Sequence, residues 1–301
     1  MIFADGVGLG REDPSTNSFF AAKLPNLSSL LDGRLPSKKN SRVEASRATL
    51  TPLNATLGVK GLPQSGTGQA TIFTGVNAAK FIGQHFGPYP HSRLKPLLQT
   101  KNLFRQLLDR KSTVCFTNAY PRQYHEAIEK RKLRYTVTTL SAVSSGIPLR
   151  GYEELKSGEA LAADITGERW SEFGYNHLPV LAPEEAGDRF HRISRKYDFT
   201  LFEYFLTDHA GHRRDMEAAV KVLERFDGFL GGVLSQFDFD DSLLLFTSDH
   251  GNIEDLSTKS HTRNPVPLVL VGREKNRLTK KITGLSRITP ALVELIAPTG
   301  L

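Results

Sequence analysis

Short apolar runs alternate with amphipathic stretches along this chain. Residues 112–117 (STVCFT), 198–206 (DFTLFEYFL), 242–247 (SLLLFT) and 266–272 (VPLVLVG) read as strands buried on both faces. Between them the apolar spacing turns helical. In KNLFRQLLDR at 101–110, apolar positions 103, 104, 107 and 108 share one helical face. PEEAGDRFHRISRKY at 183–197 opens with Pro and two Glu, the composition of a helix N-terminus. DMEAAVKVLERFDGFLGGVLSQF at 215–237 predicts a long amphipathic helix interrupted by glycine, and SRITPALVELI at 286–296 predicts a last one. Near-continuous apolar strands separated by helices predict an α/β fold, with a mostly parallel central sheet covered on both faces. Residues 120–185 are less regular, richer in Gly, Ser and charge. They read as a small cap inserted into a single domain spanning 1–301.

Composition narrows the class. The chain has 301 residues, 39% hydrophobic and 24% charged, enough apolar content for a large core. No apolar run approaches the roughly 20 residues that span a bilayer, so no membrane partner is expected. The opening MIFADGVGLG lacks the basic and long apolar regions of a secretory signal. One cysteine, Cys115, permits no internal disulfide, and a cytoplasmic location is expected. The net charge of +7 would suit anionic partners. Its basic residues are scattered, however, as in EKRKLR at 129–134 and REKNRLTKK at 273–281. A solvated face is the expectation for both runs, and a nucleic-acid partner is disfavoured.

The strand ends change the picture. LLLF at 243–246 runs into Ser248-Asp249-His250-Gly251, MIFA runs into Asp5, and LFEYFLT runs into Asp208-His209-Ala210-Gly211-His212. His261, in SHTRNPVP, stands just before the strand at 266–272. Ligands of such sheets bind beyond the carboxyl ends of the strands. Asp and neutral His are ligands for borderline divalent metals. Asp208 and His212 are four residues apart, so a helix begun at a strand end can aim both at one point. Each residue alone reads as a cap, a turn former or a core histidine; recurrence at four strand ends is what points to a site. LPQSGTGQATIFTG at 62–75 places Ser65 and Thr67 on a Gly-rich turn before a helix. That turn suits a phosphate oxyanion, and equally a plain Ser/Thr cap. It is not a Walker loop, because no Lys follows its second Gly, and the glycines of DGVGLG at 5–10 do not have dinucleotide spacing.

Together DHAGH, SDHGN, HTRNPVP and the Ser65 turn resemble the metal-binding segments of the alkaline phosphatase superfamily. They are closest to the branch containing cofactor-independent phosphoglycerate mutase and phosphopentomutase. The resemblance implies two divalent ions, Mn or Zn with Mg also admissible. Asp208, His212 and His261 would hold one; Asp5, Ser65, Asp249 and His250 would hold the other. It implies Ser65 as nucleophile, a phosphoserine intermediate and a small phosphorylated substrate. Thr67, Gln69, Arg213 and Arg214 stand where they could contact that substrate, although the two arginines read equally as a solvated helical turn. His209 is expected to be a neighbour rather than a ligand, and His85 and His91 to lie in a surface loop. Two departures are visible. Gln69 replaces the usual His, and the 143 positions between Ser65 and Asp208 leave no counterpart of the mutases' large inserted phosphoglycerate-binding domain. Cys115, in VCFTN, does not fit the sulfatase turn. The expected function is a phosphatase acting on a small phosphate ester. The alternatives are a phosphomutase of a sugar or glycerate-like phosphate and, from a different class, a non-catalytic metal-stabilised binding protein. Oligomeric state leaves no legible mark.

Overall fold

In the computed structural model, the apolar tripeptide Ile2–Ala4 (β1) lies inside a seven-stranded sheet. Residues 1–297 are described; positions 298–301 of the expected domain span lie outside the described residues. The other strands of this sheet are Val43–Glu44 (β2), Ala48–Leu53 (β3), Val114–Phe116 (β4), Phe199–Tyr204 (β7), Leu243–Thr247 (β8) and Val266–Gly272 (β9). Their order is β2-β3-β9-β8-β1-β7-β4. Strands β8, β1, β7 and β4 pair in parallel, as the apolar runs predict. Strand β9 runs antiparallel to both β8 and β3, and β2 antiparallel to β3. The reversal of β9 brings its start to the rim where the parallel strands end. This is why His261 precedes its strand while Asp5, Asp208 and Asp249 follow theirs.

Alternation along the strands splits the core in two. Ile2, Ala4, Phe202, Tyr204, Leu244 and Phe246 pack on one face with Phe190, Leu223, Phe226 and Phe229. Those partners come from helices Pro183–Ser194 and Met216–Ser235. Phe3, Leu201, Leu245, Leu268 and Leu270 pack on the other, against residues of helices Ser65–Thr74, Leu103–Leu108 and Ile288–Ile296. Burying each such side chain contributes about 1.5–3 kcal/mol. Both faces of the rim are thereby held rigid from below.

Two local expectations are corrected. The helix read at 101–110 breaks at Asn102 into Lys95–Lys101 and Leu103–Leu108. Asn102 accepts from Arg105 N at 3.0 Å and so caps the second piece. The long helix Met216–Ser235 is continuous through its glycines. Gly232 and Gly187 instead let it lie close to helix Pro183–Ser194, since a Cβ at either would strike the other helix's backbone. The β2–β3 pair was not legible, because its Arg-, Ser- and Pro-containing sequence shows no apolar run. Between the main elements, Asn118–Ala119 (β5) and Leu161–Ala162 (β6) form a separate two-stranded parallel sheet. It belongs to a small cluster with Leu155, Ala160 and Trp170. Among the described residues, no helix is long and apolar enough to cross a membrane.

Candidate metal centre

Each chemical side chain at the rim is placed by a short turn leaving a buried strand. After β1, Asp5 N donates to Tyr204 O at 3.1 Å, holding the Asp5 turn against the end of β7. After β7, helix Leu206–Arg213 carries Asp208 and His212 one turn apart. After β8, Asp249 Oδ1 accepts from His250 N at 3.0 Å and Gly6 N at 3.4 Å, which pins that turn to the loop after β1. Ahead of β9, Thr262 N donates to Gly251 O at 2.9 Å and draws the His261 segment alongside.

Two ligand groups result. The candidate ligand atoms of Asp5, Asp249 and His250 all lie within 4.8 Å of one another, and so do those of Asp208, His212 and His261. In the first group, His250 Nε2 is 3.1 Å from Asp5 Oδ1 and 3.7 Å from Asp249 Oδ2. In the second, His212 Nε2 is 3.3 Å from Asp208 Oδ2, and His261 Nε2 is 3.5 Å from Asp208 Oδ1. The groups adjoin, because the His250 and His261 rings stack with centroids 3.7 Å apart. Ser65 Oγ lies 2.9 Å from His250 Nε2, against the first group.

The donor chemistry fits cations. Nδ1 of His212, His250 and His261 faces the carbonyl oxygens of Lys259 (3.1 Å), Gly251 (3.3 Å) and Pro63 (2.8 Å). A carbonyl only accepts, so each Nδ1 carries a proton, and each Nε2 turns a lone pair inward whenever its imidazole is neutral. His212 and His261 then present these nitrogens 3.1 Å apart. Asp5 Oδ1 and Asp249 Oδ2 are buried and receive no well-directed hydrogen bond. Bare buried carboxylate oxygens facing imidazole lone pairs are costly unless a positive charge joins them.

Protonation without metal shows the same strain. Burial, then the Asp249 charge, pushes the Asp5 carboxyl up to about 8. Burial likewise raises Asp249. Burial alone would lower His250, but the Asp249 and Asp5 charges outweigh it and push the imidazole up to about 10. Burial works against ionising Asp208 too, yet the His212 contact, the His250 charge and an Asn252 hydrogen bond hold its carboxyl below the usual range. The Asp208 contact raises His212, whereas burial and the neighbouring His250 charge drop His261 to about 4.

The other candidates are placed as follows. Gln69 Nε2 donates to Asp5 Oδ2 at 3.0 Å, one helical turn after Ser65. Thr67 Oγ1 donates to Gln64 O at 3.1 Å and accepts from Phe86 N at 3.3 Å, fastening the Ser65 turn. Arg213 is exposed at the end of its helix. Arg214 turns back in a left-handed conformation, and its Nε donates to Leu256 O at 2.9 Å. His209 packs against Phe205, His85 bonds Thr56 O, and His91 abuts Phe86; none of the three enters a ligand group. Two organising residues escaped sequence reasoning. Asn252 Nδ2 donates to Asp208 Oδ1 at 2.6 Å, and the buried Glu254 carboxylate ties several rim loops together. Both stand in HGNIE, directly after Asp249-His250, where nothing local marks their long-range hydrogen bonds.

Residues 181–298 match the family model described as the metalloenzyme superfamily. The chain is 30% identical over 128 residues to the 2,3-bisphosphoglycerate-independent phosphoglycerate mutase of Desulforudis audaxviator (strain MP104C), covering 40% of this chain and 25% of the relative. It is 37% identical over 112 residues to the Yersinia pestis (strain Pestoides F) protein of the same name, covering 34% and 21%. The matched region thus spans a quarter or less of these curated relatives. Among solved structures, the PH0037 protein from Pyrococcus horikoshii aligns at TM-score 0.57 and 14% identity, covering 100% of this chain and 97% of that one. The alkaline phosphatase from the Antarctic bacterium TAB5 aligns at TM-score 0.54 and 13% identity, covering 100% and 98%. At such identities the likeness concerns the fold. Residues 181–298 thus resemble the metalloenzyme superfamily, and the chain has an alkaline-phosphatase-like fold.

Proposed function

We propose that this protein is a metal-dependent phosphoryl-transfer enzyme, a phosphatase that hydrolyses a small phosphate ester through a phosphoserine on Ser65. One observation carries the reading: two Asp/His groups adjoin beside a single serine hydroxyl, with Ser65 Oγ 2.9 Å from His250 Nε2. Asp208, His212 and His261 would hold one divalent ion; Asp5, Asp249 and His250, with Ser65, would hold a second. Such a mixed donor set suits Mn²⁺ or Zn²⁺, and Mg²⁺ less well. When bound, a pair of ions supplies Lewis-acid stabilisation of charge developing on the phosphoryl oxygens.

The chain's own residues do the rest. Ser65 is the first residue of helix Ser65–Thr74, at the positive end of its dipole, which favours an approaching phosphoryl anion. Ser65 Oγ gives up its proton as its bond to phosphorus forms and the ester P–O bond breaks, and the departing oxygen takes up one proton, so none is gained or lost overall. Water then cleaves the phosphoserine, releasing inorganic phosphate and restoring the hydroxyl. Gln69 orients the Asp5 carboxylate throughout. We treat 1–301 as one domain and 120–185 as its cap.

A mutase is the second reading, favoured by the names of the partial relatives. There a hydroxyl of the substrate, rather than water, would take the phosphoryl group from Ser65. The deciding assay uses p-nitrophenyl phosphate with Mn²⁺, Zn²⁺ or Mg²⁺, followed by product analysis on a panel of phosphosugars. Free phosphate supports the phosphatase and an isomeric phosphosugar the mutase. Silence with every metal, and with a diester, transfers the site to a non-catalytic metal-stabilised binding protein.

A further inference from the structure

Glu254 is buried at 1% exposure, beyond the ligand pair Asp249-His250, and both of its oxygens are saturated. Oε2 accepts from Gly8 N at 3.0 Å and from Asn252 N at 2.7 Å. Oε1 accepts from Thr262 Oγ1 and from Asn264 Nδ2, the latter at 2.9 Å. These four donors lie on three loops: the one after β1 that carries Asp5, the one after β8 that carries Asp249 and His250, and the one before β9 that carries His261. The fourth ligand-bearing element is reached indirectly, since Asn252 Nδ2 donates to Asp208 Oδ1 and, at 3.1 Å, to Asp208 O. None of Glu254's hydrogen bonds goes to a ligand side chain. The carboxylate also fills the space beside two glycines, because a Cβ on Gly8 or Gly251 would collide with Oε1. Both loops are therefore built to close around it.

We infer that Glu254 is the positioning residue that holds the two ligand groups of the metal centre in register. The inference rests on reading those groups as metal sites. A buried carboxylate accepting from four donors is a stiff joint, and its loss frees three loops together. Ligands from both groups then lose their common frame, so both ions are affected and not one.

The test compares Glu254→Gln with Asp227→Asn in Mn²⁺ titrations followed by calorimetry, alongside thermal melts of the metal-free proteins. Asp227 is a matched control: it is buried and accepts from Asn26 N at 3.0 Å and Leu27 N at 2.8 Å, on a helix that contributes no ligand. The expected result is that Glu254→Gln weakens Mn²⁺ binding about tenfold or more at both sites, the usual scale for partners that orient ligands. Asp227→Asn should lower the melting temperature without moving either binding constant. Equal weakening in both variants, or wild-type binding by Glu254→Gln, overturns the positioning role. If Glu254→Gln does not fold, Asn264→Ala removes one donor to the same carboxylate and should still weaken both sites several-fold; unchanged binding there overturns the inference equally. A wild-type protein that binds no Mn²⁺ and no Zn²⁺ would instead overturn the metal reading itself.

Discussion

Ser65 Oγ and His250 Nε2 meet at 2.9 Å although 185 positions separate them in the chain. The contact joins the first turn of a helix to a turn leaving β8, so the hydroxyl is fixed relative to the Asp5–Asp249–His250 group by two rigid elements. Ser65→Ala removes the oxygen and leaves the carboxylates and imidazoles in place. Turnover of p-nitrophenyl phosphate should fall by about 10³-fold or more, as expected when a nucleophile is deleted. Metal content, measured by mass spectrometry, should stay near two ions per chain. A fully active alanine variant would remove Ser65 from the chemistry. It would also require explaining how Thr67, whose hydroxyl donates to Gln64 O, could replace it.

Asp249 offers a sharper probe of the ligand groups. Its Oδ1 is engaged by backbone amides, while Oδ2 is buried and receives no hydrogen bond. Asp249→Asn keeps the shape and Oδ1 but replaces a bare oxygen with an amide or leaves it neutral. The first group then loses a charge that the second does not share. Metal content should drop to near one ion per chain, with the Asp208–His212–His261 ion retained. Recovery of two ions from this variant at wild-type affinity would refute the grouping.

How far the sequence foretold this arrangement depends on which residues are asked about. Asp5, Asp208, Asp249 and His261 stand next to apolar runs, and a run of that kind predicts a strand whose ends share a rim. Glu254 and Asn252 had no such marker. Their importance comes from hydrogen bonds across 246 positions to Gly8 and 44 positions to Asp208, and no local pattern encodes those. Helix Met216–Ser235 taught the reverse lesson. Its glycines read as an interruption, but tertiary packing uses Gly228 and Gly232 for close approach to Glu184 and Gly231 for close approach to Asn26, and the helix stays whole. Strands β2 and β3 stayed hidden because pairing, of β3 with β9 and of β2 with β3, rather than their own apolar content makes them strands.

A pH signature is expected from Glu203, a buried carboxyl near the carboxyl end of β7 that accepts from Thr138 Oγ1 at 2.6 Å. Burial pushes it up to about 8, and the Thr138 hydrogen bond offsets only part of that. The folded protein therefore binds this proton more tightly than the unfolded chain. The resulting stability is complete below the ordinary Glu range and is lost as pH rises from there through about 8. Glu203→Gln is neutral throughout and should escape that loss. Melting curves of the metal-free proteins between about pH 5 and pH 9 should show the variant gaining on the wild type as pH rises. The gap should reach on the order of a few kcal/mol at most. Parallel curves would mean that Glu203 is ionised in the fold.

The last prediction concerns the interface between the Ser65 helix and the Asp249 turn. A Cβ on Gly68 would sit 2.8 Å from Asp249 Cβ and 2.9 Å from Asp249 O. Neither is the tip of a flexible side chain, so either helix Ser65–Thr74 or the turn after β8 must move. Two effects compete in Gly68→Ala. Alanine gains about 1 kcal/mol of helix propensity over glycine. Overpacking a rigid contact costs about 1–3 kcal/mol. The clash should win, and the melting temperature should fall by several degrees. Because the displaced group is Asp249, metal binding should weaken more at the Asp5–Asp249–His250 group than at the other. Gly284→Ala, whose added carbon meets nothing within 4 Å, serves as the control and should leave both quantities unchanged. A Gly68→Ala protein more stable than the wild type, with both ions bound normally, would show that the helix can retreat without disturbing the site. The close packing of the Ser65 helix against the Asp249 turn would then be incidental to the proposed chemistry.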